Sequence, residues 1–143
     1  MNKYKSTNAV LSSDSDKNEK SNPDNVLDLI FHLHPLWSFK NYDFGHVKWT
    51  LKVPEKFIVA LQIMSGYENE PWGKMKQGLV SIEDTLLNNE AIERIGILGL
   101  DKLDYYHGCV FSLYLLGEER LWGIPREDGV FSIIWWDLDL EVL

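Results

Sequence analysis

The chain has 143 residues, a formal charge of −8 and one cysteine, Cys109, which excludes a disulfide framework and argues against broad phosphate binding, since that needs a basic face. The length fits one domain able to bury most of its apolar surface without a staple. No stretch approaches the roughly 18 apolar residues a membrane span needs, and no apolar signal core follows the opening lysines, so a cytoplasmic protein with no membrane partner is expected.

Residues 1–24 are rich in Ser, Asn, Asp and Lys, with Lys3, Lys5, Lys17 and Lys20 balanced by Asp14, Asp16, Glu19 and Asp24. Such a segment cannot offset the entropy of ordering, so it reads as a disordered N-terminal tail ahead of a single α+β domain over 25–143. All of the acidic excess then lies on the folded part. Val26 to Phe39 is an apolar run that predicts a short helix stopped before Pro35, because the residue preceding proline disfavours the α region. His32 and His34 lie inside it, but no Cys or His follows at ligand spacing, so they read as packed or rim histidines and no metal or cofactor is expected.

Val47 to Leu51 alternates and predicts a strand with Val47, Trp49 and Leu51 on one face. Pro54 suits a first helical position, and Phe57, Ala60, Leu61 and Met64 recur at helical spacing to give a core stripe ending at Ser65-Gly66. A further helical turn is expected over Pro71 to Gln77. Ser81 and Asn88 both offer N-cap chemistry for a helix through Ala91, Ile92, Ile95 and Leu98 up to Gly99. Gly108 to Leu115 then reads as a strand with Cys109, Phe111, Leu113 and Leu115 on one side, Cys109 serving as packing. Arg120 to Asp137 reads as two strands joined at Glu127-Asp128-Gly129, where Gly accepts positive φ and Asp bonds back to the local backbone. The order strand, helix, helix, three-stranded antiparallel meander places the helices on one face of a small sheet.

Ala91-x-Glu-Arg94, Leu98-Gly-Leu-Asp101, Phe111-Ser-Leu, Gly117-Glu-Glu-Arg-Leu-Trp-Gly-Ile124 and Gly129-Val-Phe-Ser-Ile-Ile-Trp-Trp-Asp137 resemble a group of small uncharacterised bacterial proteins. There an Arg-x-Trp-Gly strand is followed by one ending in Trp-x-Asp-Pro-x-His, with Val-Tyr nearby. The resemblance covers about the second half of the chain and implies no established activity. The element order is also similar to that of RelE, HigB and ParE-type toxins, whose sheets carry basic and His or Tyr residues acting on messenger RNA or gyrase. That resemblance implies a toxin-like protein, degenerate in its site, with an antitoxin as partner. Two departures stand: Leu138-Asp139-Leu140 follows Asp137 where the group has its histidine, and the chain is acidic where RNA cleavers are basic, which disfavours RNA.

Arg120, Arg126 and Arg94 are the cations expected to face one another across sheet and helix, where a guanidinium fork can hold a phosphate or carboxylate. Arg120 alternates with Trp122 and Ile124; its plainer role is an ion pair with Glu118 or an end-strand carboxylate. Asp137, Asp139 and Glu141 are spaced by two and would line one face of a continuing strand, where such a row could hold Mg²⁺ or meet a basic partner, or more commonly is the solvated edge of a terminal strand. Tyr105, Tyr106 and His107 could form an acid/base or stacking group, or the rim of a small core. Trp135 and Trp136 should point to opposite faces, one against a helix and the other toward a partner. No P-loop, GxGxxG or HExxH is present. Two functional classes remain open: a toxin-like protein interfering with translation, and a non-enzymatic acidic module docking on a basic protein.

Overall fold

The computed structural model describes residues 24–50, 54–75 and 78–143. The expected disordered tail therefore lies almost wholly outside the described residues, as does Leu51. Among the described residues three helices, α1 (Asp24–Leu29), α2 (Pro54–Tyr67) and α3 (Asn89–Leu98), accompany five strands, β1 (Leu36–Ser38), β2 (Leu79–Glu83), β3 (Cys109–Leu116), β4 (Glu119–Pro125) and β5 (Val130–Asp137). Among the described residues no helix is long and apolar enough to cross a membrane.

The α+β class holds, with a larger sheet than expected. It is a five-stranded mixed sheet in the order β1-β5-β4-β3-β2. Strands β2 to β5 pair antiparallel with their neighbours, while β1 runs parallel to β5 from Leu36 opposite Val130 to Ser38 opposite Ser132. The β4–β5 turn follows the expected chemistry: Gly129 has φ 87° and Asp128 Oδ1 accepts the Val130 amide at 3.1 Å.

The helices do not share one face of the sheet. Ala60 and Met64 of α2 pack with Phe111, Leu113, Leu121, Phe131, Ile133 and Trp136 on one side, while Ala91 and Ile95 of α3 pack with Val110, Trp122, Ile124, Ile134 and Trp135 on the other. Beyond its first residue β5 is buried throughout, as a central strand with covered faces must be. The register shifts by one residue between Trp122 and Gly123 against β5, so Ile134 and Trp135 both join the second core while Trp136 returns to the first. A Cβ on Gly123 would sit 2.4 Å from the Ser132 carbonyl oxygen and 2.7 Å from the Phe131 ring, so only glycine fits.

Each helix shows the physics of its ends. Asn88 caps α3 by accepting the Ala91 amide at 2.8 Å, and Gly99 closes it with φ 70° in the left-handed region. Helix α2 begins at Pro54, yet Phe57 and Leu61 from the expected stripe remain 42% and 43% exposed, beside Ile58 at 59%. Val47–Trp49 is a single 3₁₀ turn and not a strand: Trp49 alone is buried, edge-to-face with Trp135 at 5.2 Å between ring centres, whereas Val47 faces water. Ser81 lies in strand β2 and starts no helix. Pro71 to Gln77 contributes the 3₁₀ turn Trp72–Lys74, whose Trp72 indole donates to the Gly129 carbonyl at 2.8 Å; Gln77 lies outside the described residues.

Candidate functional site

Antiparallel pairing of β2 with β3, β3 with β4 and β4 with β5 brings Glu83, Cys109, Pro125 and Val130 to one end of the sheet. The loops at that end carry Asp84, Tyr105, Tyr106, His107, Arg126, Glu127 and Asp128. Two shallow hollows open there. The larger, about 430 Å³, is lined by Ser81–Leu86 together with His107, Gly108 and Cys109. The smaller, about 310 Å³, is lined by Asp104, Tyr105, Arg126, Glu127 and Asp128.

Tyr106, His107 and Arg126, expected as site residues, all lie in the loops at this end, His107 in the larger hollow and Arg126 in the smaller. The Tyr106 hydroxyl donates to Asp84 Oδ2 at 2.5 Å, and burial followed by that hydrogen bond raises its pKa, so it stays a proton donor held on a carboxylate. Burial lowers the His107 pKa against an opposing pull from Glu127, which keeps the imidazole neutral at neutral pH. Arg126 Nη2 pairs with Asp128 Oδ2 at 2.5 Å, and its guanidinium lies 5.9 Å from the Tyr105 ring centre. The Tyr105 hydroxyl accepts from Asn41 Nδ2 at 2.8 Å, and the same amide reaches Ser132 Oγ at 2.9 Å, which fixes the loop against β5.

The other expected residues lie elsewhere, each occupied. Arg120 sits at the opposite end of β4 from Arg126, about 20 Å away at a strand's rise per residue. Its Nη1 donates to the Gly117 and Glu119 carbonyls at 3.0 Å, and its guanidinium lies 4.8 Å from the Tyr114 ring centre. It caps the β3–β4 turn and makes no ion pair with Glu118. Arg94 forks onto Asp43, with Nε–Oδ2 at 3.0 Å and Nη2–Oδ1 at 2.5 Å, which raises the arginine pKa further. The three arginines thus do not converge, because Asp43, the β3–β4 turn carbonyls and Asp128 each hold one of them locally.

Asp137 and Trp122 are structural. Asp137 is 1% exposed and accepts the Trp122 indole N–H at 3.1 Å and the amides of Glu141 and Val142 at 2.9 and 3.0 Å. The chain turns after Asp137, with Leu140 at φ 59° and Val142 buried, so Asp137, Asp139 and Glu141 form no row on one strand face. Trp135 and Trp136 do point to opposite faces, but both are buried, and their indoles donate to Asp43 at 3.0 Å and Glu119 at 2.6 Å. Neither offers an anchor to a partner. Among the described residues no group of three or more His, Cys, Asp or Glu side chains could hold a metal ion, and the His34 ring is engaged with the Glu68 carbonyl at 2.7 Å.

The chemistry available at the sheet end follows from its balance. The hollows present Glu83, Asp84, Asp104, Glu127 and Asp128 against one guanidinium, Arg126, already paired. Such a surface attracts cations and repels phosphate. Asp84 and Glu127 were not singled out in the sequence; the only signal there is a carboxylate beside a turn. Compared with known proteins, the chain matches no family model, no curated protein and no solved structure.

Proposed function

We propose that the protein is a non-enzymatic binding module that docks on a basic protein partner through the acid-lined end of its sheet. The observation that carries this reading is the acid lining of the two hollows, Glu83 and Asp84 in the larger and Asp104, Glu127 and Asp128 in the smaller, against one arginine, Arg126, already paired with Asp128. The chain's −8 charge adds long-range attraction. Tyr105 supplies a flat aromatic wall there, and the Asn41 bond holds it in place. Charge complementarity acts first on association rate, so binding weakens as salt rises. Affinity capture from host lysate at low and high salt, repeated with Asp104→Lys/Glu127→Lys, tests it. A basic protein held at low salt and lost by the double variant is expected; a partner indifferent to salt and to both substitutions counts against the reading.

The placing of His107 and Arg126 in the two hollows at one end of the sheet, with Tyr106 in the same loop as His107, favours a second reading, a toxin-like protein of RelE or HigB type that interferes with translation. The neutral His107 is the residue there suited to taking up a proton. Inducible expression in a bacterial host should then arrest growth and cut messages, and normal growth with intact messages removes it.

A further inference from the structure

We propose that β2 is a pairing edge, at which a second copy of this chain adds its own β2 antiparallel to form one continuous sheet across a two-fold axis. Strand β2 ends the sheet order, so only one of its sides is paired. The pattern of its bonds shows which groups remain. The Tyr114 amide donates to the Gly78 carbonyl at 2.8 Å and the Asp84 amide to the Gly108 carbonyl at 2.9 Å. Alternation along the antiparallel ladder therefore turns the backbone groups of Val80 and Ile82 toward β3, and those of Leu79, Ser81 and Glu83 away from it. Of the outward groups, the Leu79 amide is already bonded to the Met75 carbonyl at 3.1 Å. The Ser81 and Glu83 amides and the Leu79, Ser81 and Glu83 carbonyls have no backbone partner among the described residues.

One register suits this set. With Ser81 opposite Ser81 of the second copy, the two serines exchange both backbone hydrogen bonds, and each Glu83 amide meets the Leu79 carbonyl across the axis. The same pair would have the Leu79 amide donate to the Glu83 carbonyl of the other copy; that amide is held by the Met75 carbonyl, so this one bond at each end of the pairing is not formed. In the same register Val80 stands opposite Ile82 of the other copy in a non-hydrogen-bonded pair, where side chains come closest. Val80 is 47% exposed and Ile82 is partly buried on the second core, so this pairing extends that core with β-branched contacts. Glu83 faces Leu79 and not its own equivalent; the two glutamates stand roughly 13 Å apart along the strands, beyond the Debye length of about 8 Å in physiological salt.

Strand β2 also lacks what commonly blocks an edge. It has no Pro or Lys, and its pairing with β3 runs without a register shift. The opposite edge, β1, is only three residues long. Since Ser81 and Glu83 line the larger hollow, Leu79 of the second copy would form part of its rim.

Sedimentation of the full chain up to roughly millimolar concentration tests the proposal. A species of twice the chain mass is expected, more populated at higher salt because each copy is acidic. Ser81→Pro removes an outward N–H without touching the β3 ladder, and Val80→Lys puts a cation in the apolar pair; each should give a monomer with an unchanged melting profile. Amide exchange gives an independent readout. Ser81 and Glu83 should gain protection as concentration rises, while Val80 and Ile82 are protected throughout. A monomer at every concentration, or a dimer that survives both substitutions with fast exchange at Ser81 and Glu83, overturns the proposal.

Discussion

Trp122 on β4 donates its indole N–H to Asp137 at the end of β5, inside a region where both side chains are all but excluded from water. The same carboxylate holds the Glu141 and Val142 amides and so ties the C-terminal turn to the second core. A buried donor left without an acceptor costs about 1–3 kcal/mol. Asp137→Ala strands two of them, the Trp122 indole and the Val142 amide, and loosens the part-buried Glu141 amide, and should lose at least about 2 kcal/mol in denaturant unfolding, the low end of that range over the two buried donors. A loss below about 1 kcal/mol would mean that water reaches and re-satisfies these groups.

Arg94 and Asp43 form the corresponding bolt between α3 and the sheet, since Asp43 also receives the Trp135 indole and its amide donates to the Ile134 carbonyl at 3.0 Å. Arg94→Ala leaves a carboxylate that is 1% exposed without its cation. Breaking a buried pair from one side costs about 3–5 kcal/mol; Arg94 keeps some solvent contact, so a loss near 3 kcal/mol is expected. Arg94→Lys should recover little, because one ammonium cannot replace the two-pronged contact. Recovery by lysine to wild-type stability would show that charge alone matters.

Arg120 is expected to matter far less. Its contacts are turn carbonyls and the face of an exposed tyrosine, each worth about 1 kcal/mol or less in water. Arg120→Ala should therefore unfold within about 1 kcal/mol of the parent and keep any partner binding through the proposed surface at the other end of β4. Lost binding with retained stability would return Arg120 to the site.

Acid should weaken the fold through His107. Its pKa lies below the ordinary 6.5 because the imidazole is partly buried, with Glu127 pulling the other way. As pH falls through about 6.5 the unfolded chain takes up a proton that the folded protein declines, so stability drops until the folded pKa is also passed. Above neutral pH the group contributes no slope. His107→Asn should flatten the difference in unfolding free energy between pH 7 and pH 5 relative to the parent. An unchanged slope would assign the acid sensitivity to other groups.

Where chemistry is local, the sequence reading survived contact with the structure. Asn88 and Gly99 bracket α3, Pro54 opens α2, and Asp128-Gly129 makes the β4–β5 turn. Strands β1 and β2 were missed because three or five residues at a sheet edge carry almost no periodic signal. Placing both helices on one face ignored a signal that was present: Val130 to Trp136 is nearly continuously apolar, as a strand covered on both sides must be. The arginine cluster failed on distance and on local partners, since Arg120 and Arg126 stand at opposite ends of one strand and Arg94 is held by Asp43. Asp137 was beyond reach, because its indole partner comes from the neighbouring strand and its remaining partners from a turn that spacing by two does not announce.

The parallel pairing of β1 with β5 joins Leu36 to Val130, most of the chain's length away. Closing so long a loop is entropically expensive and is rewarded only once β5 exists to receive the strand. During synthesis the segment carrying β1 must therefore wait, with Leu27, Ile30 and Trp37 in water instead of in the first core, until β5 has left the ribosome. The order of β3, β4 and β5 lets that core assemble from neighbours in sequence, so the N-terminal strand is the last to dock and the first to be released when the protein is heated.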